Sequence, residues 1–223
     1  MQLVALLPMK GHSERVPNKN LKSFHGKPLY HAIVQTLQNC GAISQVIINT
    51  DSELITKDAQ DTFGNFIMIH QRPPEICGDF VSMNEIIYHD ILKHGGEHFL
   101  QTHSTNPVLT SKTVERAVET YFNSLSQYDS LFSVTRWQTR LYWQDGSPVN
   151  HNPAELLRTQ DLPPVFEENS NFYIFSKQSF IQADKKRIGF NPQMFEVNKI
   201  EAVDIDNPED FIIAEQLYKL NHA

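Results

Sequence analysis

Five short apolar runs, at residues 2–8, 45–50, 66–70, 97–101 and 129–134, read as strands. The segments between them have helical period. Between Ser82 and His94, apolar residues recur at Met83, Ile86, Ile87 and Ile91, and farther on at Val114, Ala117, Val118 and Tyr121. Such stripes pack a core and carry no chemistry. Strand and helix in alternation predict an α/β fold with a mainly parallel central sheet flanked by helices. Later in the chain FYIF (172–175) reads as a strand, about 177–183 as a helix, AVDI (202–205) as a strand, and the remainder to about residue 220 as an amphipathic helix. Residues 136–169 break the pattern. They are aromatic and interrupted by Gly and Pro, with a hairpin-type turn signal at Asp145-Gly146, and read as an inserted arm. Its residues Trp137, Leu141, Tyr142 and Trp143 are more apolar than a solvated loop requires, so the arm is expected to face another surface, that of a second copy in a homodimer.

Composition fits this picture. The chain has 223 residues, 40% hydrophobic and 20% charged, enough for one α/β core, so residues 1–223 are expected to form a single domain. No apolar run approaches the roughly 18–20 residues of a bilayer span, and the N-terminus lacks the succession of a signal peptide, so no membrane association and a cytoplasmic location are expected. Cys40 and Cys77 lack a C-x-x-C spacing, which fits a reducing compartment. The ten histidines show no metal-ligand spacing, so His31 and His89 read as structural or exposed.

Charge changes the picture at one place. The formal net charge is −7, which argues against nucleic acid as a partner, yet residues 10–27 hold five of the 19 Lys and Arg. An apolar strand opens there into MKGHSERVPNKN. A solvated basic loop would account for any single lysine, but Lys10, Arg15 and Lys19 occur together with small Gly11 and Ser13, stiffening Pro17, and hydrogen-bonding Asn18 and Asn20. That combination suits a polyphosphate cradled by backbone N–H groups and cations at a strand end. The Walker spacing and the G-x-G-x-x-G fingerprint are both absent, which removes ordinary ATPase and dinucleotide readings.

A second signal lies in EAVDIDNPEDF. Asp204 and Asp206, two apart on an extended segment, point to one face while Ile205 points to the other. Helix capping is the ordinary use of such acids, but Pro208 suits the first helical position, Asn207 the cap and Asp210 the first turn. Asp206 is left without a capping role, and paired hard oxygen ligands suit Mg²⁺.

LLPMKGHSERVPNKNLK resembles the signature loop IPARGGSKRVPxKN of the acylneuraminate (sialic-acid type) cytidylyltransferases, which activate acidic sugars with CTP. Pro8, Gly11, Ser13, Arg15, Pro17, Lys19 and Asn20 fall on matching positions. Lys10 replaces the usual Arg, keeping charge but not the bidentate fork. Glu14 stands where the family often has Lys, so no phosphate contact is expected of it. DIDNPEDF resembles the family's metal-binding IDTPEDF, implying Mg²⁺ on Asp204 and Asp206. RPPEICGDFVS resembles RPxxLAxDxAS, implying Arg72 near the nucleotide and Ser82 on its ribose or base. LLRTQDLPPVFEENSNFYIF resembles RRQDLPPxYxxNGAIYI, implying acceptor contacts by Arg158, Gln160 and Asn169, with Ser170 and Asn171 replacing the family's small residues. Aligning the base-reading QPTSPLR on Pro107 assigns that role to His103, and a two-residue insertion assigns it to Gln101.

The resemblance covers nearly the whole chain. It implies a Rossmann-like nucleotide-diphospho-sugar transferase fold and transfer of CMP from CTP to a 2-keto sugar acid with release of pyrophosphate, Lys10, Arg15 and Lys19 being catalytic. Rival readings are transfer to a phosphonate or other acid, and a nonenzymatic nucleotide-binding protein.

Overall fold

A computed structural model describes residues 3–13 and 15–222. Strand β1 (Leu3–Pro8) leads through a loop and the small ribbon β2 (Ser23–Phe24) and β3 (Lys27–Pro28) to α1 (Tyr30–Gln38). There follow β4 (Ile43–Thr50), α2 (Glu53–Phe63), β5 (Ile67–Gln71), α3 (Met83–His94), β6 (His98–Thr102) and α4 (Ser111–Asn123). The chain continues as β7 (Ser130–Trp137), β8 (Val165–Ser176), α5 (Lys177–Gln182), β9 (Pro192–Glu196) and α6 (Pro208–His222).

Seven strands form one sheet in the order β5-β4-β1-β6-β8-β7-β9. The pairs β5–β4, β4–β1, β1–β6 and β7–β9 are parallel, and β8 runs antiparallel to both its neighbours. Alternating side chains of β1 explain its unbroken apolar run. Leu3, Ala5 and Leu7 enter the layer beneath α1 and α4, while Val4 and Leu6 enter the layer beneath α3 and α5. Burying each Leu contributes roughly 1.5–3 kcal/mol. A third cluster joins Phe24, Leu29, Ile205 and Phe211, docking α6 beside the ribbon.

Three sequence expectations need correction. AVDI forms no strand: Ile205 N donates to Thr105 O at 3.0 Å, tying the segment to the loop after β6 instead of a sheet ladder. Strands β7 and β8 take up both ends of the expected arm, so its irregular part is 138–164. Trp137, expected in the exposed arm, is a half-buried β7 residue whose Nε1 donates to Glu167 Oε2 at 2.7 Å and whose ring lies beneath Lys199 Nζ at 4.0 Å. Strand β9, whose sequence PQMFE carries no clean alternation, was not legible.

Candidate active site

From β1 the chain steps through β4 to β5, then crosses to the other flank of β1 to place β6, so the topology reverses at β1/β6. Ligands of open α/β sheets bind at the carboxyl ends of strands flanking such a point. The basic loop follows β1 there. Its backbone is anchored before any ligand arrives. Gly11 N donates to Asp51 Oδ1 at 2.7 Å, and a Cβ on Gly11 would stand 3.0 Å from the Ser52 Cβ, so glycine permits the close approach. Asn20, buried, donates to Lys10 O at 2.9 Å and accepts from Ser104 Oγ at 2.6 Å, linking the loop to the segment after β6. Asn18 takes φ 52, a left-handed turn that Asn tolerates.

The loop and its surroundings enclose a cavity of about 260 Å³ lined by Pro8, Lys10, Ser13, Arg15, Lys19, Asn20, Asp79 and Ser104. Glu14 lies outside the described residues. A larger cleft, about 680 Å³, opens at the other end of the sheet, between the start of β6 and α5, away from this loop. Lys10 Nζ meets Asp79 Oδ1 at 2.5 Å and Arg15 meets Asp206 Oδ1 at 2.7 Å, both pairs well exposed. Exposed pairs of this kind are weak because solvent screens them, whereas hydrogen bonds to a charged phosphate are stronger, so a polyphosphate can displace both. Lys19 is less accessible. Its Nζ donates to Ile205 O at 2.7 Å, and burial lowers its pKa against the opposing pull of Asp204 and Asp206.

The first loop thus meets the DIDNPEDF segment, 191 residues away at the Arg15–Asp206 contact. Asn207 Oδ1 accepts from Glu209 N and Asp210 N, both at 3.1 Å, and Asp210 Oδ2 accepts from Asp206 N and Asn207 N. Capping is therefore done by Asn207 and Asp210. Asp204 Oδ1 is buried without a hydrogen-bond partner among the described residues. Burial raises its pKa and nearby Asp206 adds to the rise, while the Thr105 hydroxyl and Lys19 act against it. An orphaned carboxylate oxygen beside a second carboxylate fits a hard divalent cation such as Mg²⁺.

The remaining expected residues divide. Arg72 is buried just after β5, its Nε donating to Asn49 Oδ1 at 2.7 Å and its Nη2 to Asn49 O at 2.9 Å. Ser82 caps α3, accepting from Asn84 N at 3.3 Å. Gln101 and His103 lie side by side, 3.1 Å apart. Both ends of the Gln101 amide are engaged, by Thr102 O at 2.8 Å and by Arg187 at 2.7 Å. The His103 pKa is pushed down to about 4 by burial, with Arg187 and Lys19 adding to it, so the ring is neutral at pH 7.

Asn169, expected at the acceptor, has its amide engaged inside the sheet, donating to Thr135 Oγ1 at 3.0 Å and accepting from Asn171 N at 3.2 Å. It shapes the bulge where Ser170 takes φ 57, a conformation the family's glycine would reach without strain. Arg158 and Gln160 lie on the arm. Arg158 forks onto Asp161 at 2.7 and 3.1 Å, and the Gln160 carbonyl accepts from Gln138 at 2.7 Å.

Arg187 was missed. It reaches in from the loop between α5 and β9, with its guanidinium 3.8 Å from the centroid of the Tyr173 ring and one nitrogen on Gln101. Asp129 holds that loop by accepting from Phe190 N at 2.7 Å and Asn191 N at 3.1 Å.

Cations from the first loop and carboxylates from the last segment thus meet at a switch point of an α/β sheet. A cytidylyltransferase family model matches residues 4–223, and the chain belongs to that family of nucleotidyltransferases, which use CTP. It is similar to the pseudaminic acid cytidylyltransferase of Campylobacter jejuni, 25% identical over 237 residues that cover 100% of this chain and 98% of that protein. N-acylneuraminate cytidylyltransferase A of Danio rerio is 30% identical over 95% of this chain and 50% of its own length. In fold the chain resembles CMP:2-keto-3-deoxy-manno-octonic acid synthetase complexed with CTP, with TM-score 0.72, 13% identity, and 99% and 100% of the two chains covered. Among the described residues no helix is long and apolar enough to cross a membrane.

Proposed function

We propose that the protein transfers CMP from CTP to a hydroxyl of a 2-keto sugar acid of the sialic, pseudaminic, legionaminic or octulosonic kind, releasing pyrophosphate. The convergence of Lys10, Arg15 and Lys19 with Asp204 and Asp206 carries this reading. The names of the relatives support the acceptor class. The acceptor oxygen bonds to the α-phosphorus in line as the bond to the β-phosphate oxygen breaks, and the hydroxyl proton leaves to solvent. Exposed Lys10 and Arg15 exchange Asp79 and Asp206 for the departing pyrophosphate, and half-enclosed Lys19 faces the reacting phosphoryl group. Asp204 and Asp206 would hold Mg²⁺, which when bound supplies charge neutralisation at phosphate oxygens and acidifies the acceptor hydroxyl. No covalent nucleophile is needed.

Arg187 supplies a fixed cation for the acceptor carboxylate. Stacking on Tyr173 and the bond to Gln101 set its plane. Arg187→Ala is expected to raise the acceptor KM at least tenfold, the loss of roughly 1.5 kcal/mol from one charge-assisted contact. Equal KM for the acceptor in both proteins would remove Arg187 from the pocket.

The arm is proposed to pair two copies, bringing Arg158 and Gln160 toward the partner's acceptor pocket. Tyr142, Trp143 and Leu156 are 55%, 64% and 91% exposed, too much apolar surface for an arm in water. Light scattering at micromolar concentration should show a dimer, and Tyr142→Ser with Trp143→Ser should yield monomers. A monomeric wild type would end the shared-pocket reading. The cytoplasm, which supplies CTP and keeps Cys40 and Cys77 as free thiols, is the proposed location.

A further inference from the structure

Behind the candidate site, between β4, β5 and α3, lies a polar cluster that the reaction does not use. Asp90 on α3 is fully buried and His70 on β5 is 2% exposed, while the His89 side chain keeps 28% of its surface. Among the described residues, the hydrogen-bond partners of the Asp90 carboxylate crowd one oxygen. Oδ1 faces His70 Nδ1 at 2.8 Å, His89 Nδ1 at 3.3 Å and Asn49 Nδ2 at 2.7 Å. Oδ2 is buried with no hydrogen-bond partner among the described residues. Leaving a buried carboxylate oxygen unpaired is costly, so a hydrogen-bonded brace accounts poorly for this asymmetry.

The spacing matches coordination. Ligand atoms of His70, His89 and Asp90 all lie within 4.8 Å of one another. Around a tetrahedral ion with bonds of about 2.0–2.1 Å, donors stand about 3.3 Å apart, and the two histidine nitrogens lie 2.8 and 3.3 Å from Asp90 Oδ1. Small shifts of the two rings and of a carboxylate with a spare oxygen would bring three donors onto one ion.

We infer that His70, His89 and Asp90 form a binding site for a divalent transition cation of the zinc class, separate from the carboxylates Asp204 and Asp206. Two imidazoles and one carboxylate select zinc-like ions over Mg²⁺, which takes oxygen ligands and dehydrates reluctantly. The exposed edge of His89 gives the ion a way in. Because Asn49 donates to Asp90 and accepts from Arg72, the ion would brace β4, β5 and α3 directly behind Arg72.

The test uses the whole protein, dialysed against EDTA and then freed of chelator. Zn²⁺ alone, titrated by calorimetry, should bind at one equivalent per chain and raise Tm, and Co²⁺ should give the intense visible absorption of a tetrahedral site. His89→Ala, at the surface edge of the cluster, should fold and lose more than about a hundredfold in Zn²⁺ affinity, since even second-shell changes cost 10–100-fold. His70→Gln should lose it too, while Asp206→Asn should bind as the wild type does. Absence of Zn²⁺ binding, equal affinity in His89→Ala, or loss of binding in Asp206→Asn would each overturn the assignment.

Discussion

Lys19→Ala is expected to lower kcat for cytidylyl transfer by at least about a hundredfold in a protein that remains folded. Among the three loop cations Lys19 is the most enclosed, and it reaches the Ile205 carbonyl without an exposed ion pair of its own. Burial works against its charge, and Asp204 and Asp206 oppose that effect, so the ammonium is held in place with part of its hydration already removed. A charge set in this way before the reaction stabilises developing phosphoryl charge without reorganisation, and losing one such contact raises the barrier by roughly 3 kcal/mol. The structural loss is smaller. The Ile205 carbonyl gives up one donor, about 1 kcal/mol, and Ile205 itself stays packed with Leu29 and Phe211. Single-turnover rates at saturating CTP, read beside Tm, separate the two effects. A near-normal rate in the folded variant would take Lys19 out of the reaction.

What the sequence disclosed and what it hid follow from the range of the interactions. The β1 run is legible because both faces of that strand are covered, and the loop after it because cations, glycine and asparagine sit within a few residues of each other. The roles of Asn207, Pro208 and Asp210 were legible for the same reason, capping being local chemistry. The Arg15–Asp206 meeting could be foreseen only through the family resemblance, because nothing local links residues so far apart. Arg187 carried no signal at all: a lone arginine after KK looks solvated, and only the hold of Asp129 on residues 190 and 191, with Gly189 pressed against that carboxylate, turns its loop inward. Asn169 shows what a motif leaves out. It matches a motif position, yet the backbone around Ser170 claims its amide. Residues 202–205 looked like a strand because apolar Ala202, Val203 and Ile205 stand close together, but Ala202 lies in a turn and the bonds of Ile205 go to Thr105 and Lys19 rather than to a sheet edge.

The central claim is that the cations of the first loop and the carboxylates of the last segment form one metal-assisted cytidylyltransferase site. It is tested most directly by pyrophosphate release from CTP, measured in the wild type and in Asp206→Asn across an Mg²⁺ titration. The acceptors would be sialic, pseudaminic, legionaminic and octulosonic acids, with a phosphonate alongside. Asp206→Asn removes a carboxylate with little change in volume and frees Arg15 from its pair, so the fold should persist while a hard-cation ligand is lost. The account predicts release in the wild type only when CTP, Mg²⁺ and a sugar acid are present together. In Asp206→Asn it predicts a rate at least about a hundredfold lower at the same Mg²⁺, with the activation curve moved to higher Mg²⁺. Release without an acceptor, or the same Mg²⁺ activation curve in both proteins, would contradict it.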